Sequence, residues 1–224
     1  MAALKFAITD EGIFLATDTL VTHDGRPSMF TAKVLTLPHL HGLICGFGSM
    51  ALFHRWSLRV LGSILTTNMS HLDLFAPNSL REIWAQMSDE DRGDGAADIY
   101  HLCYDPDADQ FGGFGYQSSS DFKSEPLEDG IYSMPAALNG KFSINAFPGD
   151  FVKAFRRVWF GQETLGADKR LHIGGEVIAY MMQRHEIEGQ PRSTLITAQT
   201  AFRFENFEKM FLDCQDRTLD SWRE

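Results

Sequence analysis

Several short strings in this chain carry residue types that could do chemistry. Gly46-Phe47-Gly48-Ser49-Met50-Ala51 fits G-x-G-x-x-A between a strand-like and a helix-like segment. In a dinucleotide site such glycines let the backbone approach a pyrophosphate at a helix N-terminus. That reading requires a βαβ unit, whereas the preceding segments pattern as hairpins, so a tight strand-to-helix corner explains the glycines equally well. Asp105, Asp107 and Asp109 resemble the start of a calcium loop. Gln110 stands where the loop's turn needs Gly, and Tyr116 where it needs a bidentate Glu, which favours a solvated hairpin turn. His39 and His41 flank Leu40 and could place two imidazoles near each other, but no nearby cysteine or carboxylate completes a metal site. Cys45 sits inside an apolar run and reads as a buried thiol. Ser118-Ser119-Ser120 reads as a polar loop, with no G-x-S-x-G elbow anywhere in the sequence. The residues therefore predict neither a metal site nor a bound cofactor.

The elements that would position these groups follow from periodicity. Leu4, Phe6 and Ile8 alternate with Lys5, Ala7 and Thr9, and Asp10-Glu11-Gly12 turns the chain into a second strand over Ile13 to Thr17. Lys33 to Leu37 and Gly42 to Phe47 predict another strand pair, and the Lys33 to Leu37 strand is expected in one sheet with the strands of Ala2 to Ile8 and Ile13 to Asp18. The spacing then becomes helical from Met50 to Leu65, and again from Pro77 through Met87. Ile99 to Tyr104 and Phe111 to Tyr116 predict a hairpin. Helices are expected over Phe151 to Phe160 and Glu176 to Glu186, and a last strand over Thr194 to Phe204. Blocks of hairpins separated by helix pairs predict a layered α+β fold rather than a doubly wound sheet.

The 224 residues suit one domain spanning 1–224. With 44% hydrophobic residues and 18 Phe, the chain can build a large core. A formal charge of −10 disfavours nucleic acid. No run of roughly 20 apolar residues is available to span a bilayer. Three dispersed cysteines and the lack of a secretory pattern at Met1 to Lys5 predict a cytoplasmic protein.

One constellation stands apart. Gly12-Ile13-Phe14-Leu15-Ala16-Thr17-Asp18 is followed by Lys33-Val34-Leu35-Thr36-Leu37, then by Gly42-Leu43-Ile44-Cys45-Gly46-Phe47-Gly48 and a long helix. This order resembles proteasome β-subunits and the related peptidase of bacterial ATP-dependent proteases, members of the N-terminal-nucleophile (Ntn) hydrolases. The resemblance covers residues 12 to 65 most closely and implies a four-layer αββα sandwich. It implies a site in which an N-terminal hydroxyl or thiol attacks a peptide carbonyl, a Lys held by an Asp tunes its surroundings, and a Gly N–H binds the oxyanion. By motif, Asp18, Lys33 and Gly46 take those supporting places. Asp18 and Lys33 could equally form an ordinary ion pair linking two strands. The nucleophile position falls on Ala2, which offers no hydroxyl or thiol, and Glu186, Glu188 and Ser193 lie in the region of the family's downstream helper residues. The resemblance thus implies a catalytically degenerate member: a homo-oligomeric subunit, ring-forming in the family's manner, that assembles or binds a peptide or small amide. An active threonine-type peptidase or amidohydrolase and a dinucleotide-binding oxidoreductase are the competing readings.

Overall fold

A computed structural model describes residues 3–23, 25–93, 96–162, 165, 172–189 and 191–221, with side chains described as far as residue 216. In chain order the strands are β1 (Leu4–Thr9), β2 (Gly12–Asp18), β3 (Leu20–His23), β4 (Arg26–Phe30), β5 (Val34–Leu37) and β6 (Gly42–Phe47). Four helices follow: α1 (Met50–Ser63), α2 (Met69–Asp73), α3 (Ala76–Gln86) and α4 (Asp89–Arg92). Then come β7 (Asp98–Asp105), β8 (Gln110–Gln117), β9 (Ser124–Leu127), β10 (Gly130–Met134), α5 (Gly149–Gln162), β11 (Glu176–His185), β12 (Ser193–Arg203) and α6 (Phe207–Ser221). Among the described residues no helix is long and apolar enough to cross a membrane.

The first five-stranded sheet runs β10-β1-β2-β11-β12 and the second β5-β6-β7-β8-β9, while β3 and β4 form a separate ribbon. Every pairing is antiparallel. Period-two alternation directs the packing. Leu4, Phe6, Ile8, Ile13 and Leu15 meet Val34, Leu43, Cys45, Tyr100 and Leu102 in a core shared by the two large sheets. The opposite face of β1 and β2, with Ala3, Ala7, Phe14 and Ala16, packs on Phe151, Phe155 and Val158 of α5. The outer face of the second sheet, with Ile44, Ile99 and Tyr116, packs on Leu52, Trp56 and Val60 of α1 and Leu80 of α3.

Three expectations are corrected here. The four-layer αββα sandwich gives way to a mixed α/β arrangement of three antiparallel sheets and six α-helices among the described residues. The β3–β4 ribbon and α6, which packs against β4, have no place in that scheme. The segment from Glu176 is a strand, not a helix, because β11 is clamped between β2 and β12 over most of its length. Finally, β5 does not join β1 and β2 in one sheet; the intervening ribbon carries the chain across to the second.

Candidate functional site

The change of sheet between β2 and β5 brings a charged pair together across the inter-sheet core. Asp18 closes β2, and Lys33 immediately precedes β5. The Lys33 ammonium donates to Asp18 Oδ1 at 2.8 Å and to the Leu20 carbonyl at 2.6 Å. Asp18 Oδ1 also accepts from the Ala3 N–H at 2.9 Å, and Oδ2 from the Gly174 N–H at 3.2 Å. Both side chains are dehydrated, at 0% and 1% exposure. A buried carboxylate is tolerated only when its lone pairs are filled, and here two backbone donors and one ammonium fill them. The Thr17 hydroxyl completes the corner by donating to the Ala3 carbonyl at 2.9 Å.

Burial pushes the Lys33 pKa below the ordinary lysine value, against the raising effect of the Asp18 charge and hydrogen bond. Gly46 lies on β6, one residue past Cys45, whose partner Val34 ends the paired register on the Lys33 side. A Cβ on Gly46 would stand 3.2 Å from Ile99 and 3.3 Å from Phe53, so packing under α1 already requires a small residue. The structure therefore joins Asp18 to Lys33 and places Gly46 on the strand that pairs with β5. Ala2, the remaining position of the expected site, lies outside the described residues.

Other candidates resolve differently. Gly48 has φ +89°, and a Cβ there would run into the Ala96 carbonyl oxygen. The Ser49 hydroxyl accepts from Leu52 N–H at 3.2 Å to cap α1 and donates to the Asp91 carbonyl at 2.7 Å. Because β6 is antiparallel to both β5 and β7, the glycines turn a tight corner and no βαβ cradle surrounds them. In the β7–β8 turn the Asp105 carboxylate accepts from the N–H groups of Asp107 and Ala108, an Asx-type turn. Asp109 is taken up by Arg184 and Tyr104. Cys45 is buried, and dehydration raises its thiol pKa far from the reactive range; Cys103 is pushed up to about 12. Among the described residues no cluster of three or more His, Cys, Asp or Glu side chains is placed to hold a metal.

The helper residues sought downstream lie at the wrong end of the sheet. Val177 opposes Asp18 and Gln183 opposes Gly12, so the Glu186 to Ser193 segment begins about 30 Å along the strand from Asp18. The segment that does reach Asp18 is Gly174-Gly175. Gly175, at φ +77°, packs so tightly on Thr19 and Phe30 that a Cβ would collide with both. A glycine pair directly before a strand was the available signal.

Sequence reasoning also missed a buried polar chain behind the second sheet. The Trp56 indole donates to His101 Nε2 at 2.9 Å, which leaves the proton of the neutral ring on Nδ1. Nδ1 then donates to the Tyr116 oxygen at 3.1 Å, and Tyr116 donates to Asp73 Oδ1 at 2.7 Å, where the Ser124 hydroxyl also donates at 2.5 Å. Burial drops the His101 pKa to about 3. Lys5, dehydrated on the α5 side, donates to Ser133 Oγ and to the Leu138 carbonyl, each at 3.0 Å.

No family model and no curated protein sequence matches this chain. In structure it is similar to Anbu (ancestral beta-subunit) from Yersinia bercovieri, with a TM-score of 0.60 and 11% identity over 100% of this chain and 96% of that one. It is likewise similar to the Gly-1 mutant of Anbu from Hyphomicrobium sp. strain MC1, with a TM-score of 0.61, 11% identity and the same coverage. The fold is proteasome-like. At this identity the likeness carries the fold alone, which corrects the identification as a degenerate proteasome β-subunit of the Ntn hydrolases: the similar structures are Anbu proteins, and hydrolase membership does not follow from them.

Proposed function

We propose that residues 1–224 act as one domain, a cytoplasmic, non-catalytic subunit that assembles with copies of itself or holds a peptide-like ligand. The observation that carries this reading is how Asp18 and Lys33 are used. The carboxylate is filled by Ala3, Gly174 and Lys33, and the ammonium is spent on Asp18 and the Leu20 carbonyl. The pair thus holds two sheets together; Ala3, which donates to Asp18, brings no hydroxyl or thiol for it to activate, and neither does Ala2 by its residue type. The likeness to Anbu, an ancestral beta-subunit, supports the assembly half of the reading. So do Leu58 and Leu61, which α1 leaves 69% and 61% exposed.

The test couples light scattering to hydrolysis of fluorogenic peptide amides. The expected result is a mass above one subunit, lowered by L58D/L61D, with no hydrolysis that Lys33→Ala abolishes. Turnover lost in Lys33→Ala, or a single-subunit mass at tens of micromolar, overturns the reading.

A further inference from the structure

The two large sheets have four edges, and three of them are guarded. β5 has 4 residues and lies between Lys33 and Pro38; β9 also has 4 and contains Glu125 and Pro126. β10 has 5 and lies between Asp129 and Pro135. Shortness, proline and charge are the usual ways of keeping an edge from pairing with another chain. β12 has none of them. It is 11 residues long, Ser-Thr-Leu-Ile-Thr-Ala-Gln-Thr-Ala-Phe-Arg, with no proline and no acid in a chain of net charge −10. Its one charge, Arg203, is neutralised by Glu176 at 2.7 Å. The central residues Thr197 to Thr200 are all exposed, so both faces and the outer edge of the strand are open there.

We infer that β12 is a self-recognition edge, pairing antiparallel with β12 of a second copy about a two-fold axis at Ala198 and joining two five-stranded sheets into one. Charge decides for a second copy over an unrelated strand. An axis at Ala198 sets Thr197 against Gln199, Ile196 against Thr200, Leu195 against Ala201, Thr194 against Phe202 and Ser193 against Arg203. All 11 residues find a partner and no like charges meet. The same axis brings the turn after β11, with exposed Glu186 and Glu188, beside the Phe202 end of the other copy. There Arg156 of α5 lies 5.3 Å from the Phe202 ring centroid. Among the described residues Glu186 and Glu188 have no cationic partner, and Arg156 has ring contacts but no carboxylate. Each copy thus offers the acid at one end of β12 and the base at the other, an arrangement that a two-fold, and not a parallel, pairing satisfies twice.

Sedimentation equilibrium with hydrogen exchange tests this. The wild-type chain should associate in even multiples, with the amides of residues 193–203 protected in a concentration-dependent way. T197K/Q199K, all on exposed positions, sets ammonium groups opposite each other on both sides of the axis and should abolish that protection and halve the mass. R156E and E188K should each weaken association roughly five-fold, because each contact occurs twice, and the combined variant should recover it. L58D/L61D should leave β12 protection intact, which separates this edge from helix-face assembly. An unchanged mass in T197K/Q199K, β12 amides that exchange freely at every concentration, or failure of the combined charge swap overturns the inference.

Discussion

The core between the two large sheets is clasped at both ends, by opposite means. At the Asp18 end of β2 the clasp is a lysine and an aspartate with no water access, each completed by backbone groups. At the other end Arg184, which follows the register partner of Gly12 on β11, reaches across to the turn of the second sheet. Its guanidinium donates to Asp109 Oδ1 at 2.8 Å, the Asp109 carbonyl at 2.9 Å and the Asp10 carbonyl at 2.6 Å. It also lies 5.2 Å from the Phe111 ring centroid. Here the two side chains keep 34% and 40% exposure. A compact ammonium suits a site whose acceptors converge on one point, whereas the planar fork suits a site where carboxylate and carbonyls are spread and a ring supplies a floor. The inner clasp is strong because losing one member strands a dehydrated charge. The outer one shares its work with water.

That asymmetry gives the largest expected effect. Lys33→Met keeps the volume but leaves Asp18 with only the Ala3 and Gly174 N–H donors. The stability measured by urea unfolding should fall by about 3–5 kcal/mol. D18N/K33M removes both charges and should be more stable than Lys33→Met alone, since no carboxylate is then left without its cation. A loss under about 1 kcal/mol for Lys33→Met would show that water reaches Asp18 and would erase the contrast between the two ends.

How much of this was legible in the sequence depends on whether the determinant was local. The β1–β2 hairpin, the β7–β8 turn and the helices over residues 50–63, 76–86 and 149–162 were readable because alternation, turn residues and helical spacing act over a few neighbours. β11 was misread because Met181, Met182 and Gln183 suit a helix as well as a strand, and only its two flanking strands decide the matter. Helix α6 went unread because its sequence, FEKMFLDCQDRTLDS, is mostly polar, and its Phe207 and Phe211 find their purpose on Phe30 of the remote β4. Asp18 and Lys33 were singled out by the motif resemblance to proteasome β-subunits, but their placement on two different sheets was not, since the crossover is made by the separate ribbon. Gly174 was signalled only by the glycine pair before β11, which marks a tight turn but not which distant carboxylate its backbone N–H will meet.

The Trp56–His101–Tyr116–Asp73 chain sharpens the comparison: Trp56, His101 and Tyr116 are as dehydrated as the inner clasp but neutral, and only Asp73 at the end is partly exposed. The His101 pKa of about 3 lies below its ordinary 6.5. Between those values the unfolded chain takes up a proton that the folded one refuses, so stability falls as the pH drops through this window. At pH 5 the loss should be about 2 kcal/mol relative to pH 7, by linkage of about 1.4 kcal/mol per unit. His101→Gln removes the titration, and its unfolding midpoints at the two pH values should lie closer together by that amount. Equal pH slopes for the two proteins would mean that the ring is reached by water or protonated in place.

The smallest effect is expected at the outer clasp, and its signature is salt. Arg184→Ala should lower the urea midpoint less than Lys33→Met does, because water replaces part of what the guanidinium gave up. The attraction between partly exposed charges is screened at about 1 M salt, where the Debye length is ~3 Å, whereas the dehydrated Lys33–Asp18 contact feels little of it. The difference between wild type and Arg184→Ala should therefore shrink on adding salt, while that for Lys33→Met persists. Arg184→Lys keeps the charge but cannot reach the Asp10 carbonyl and both Asp109 oxygens at once, so it should recover only part of the loss at low salt. Full recovery by lysine would reduce the clasp to a point charge; a loss indifferent to salt would assign it to the contact with Phe111 and Tyr104 instead, where the guanidinium acts as a packed plane.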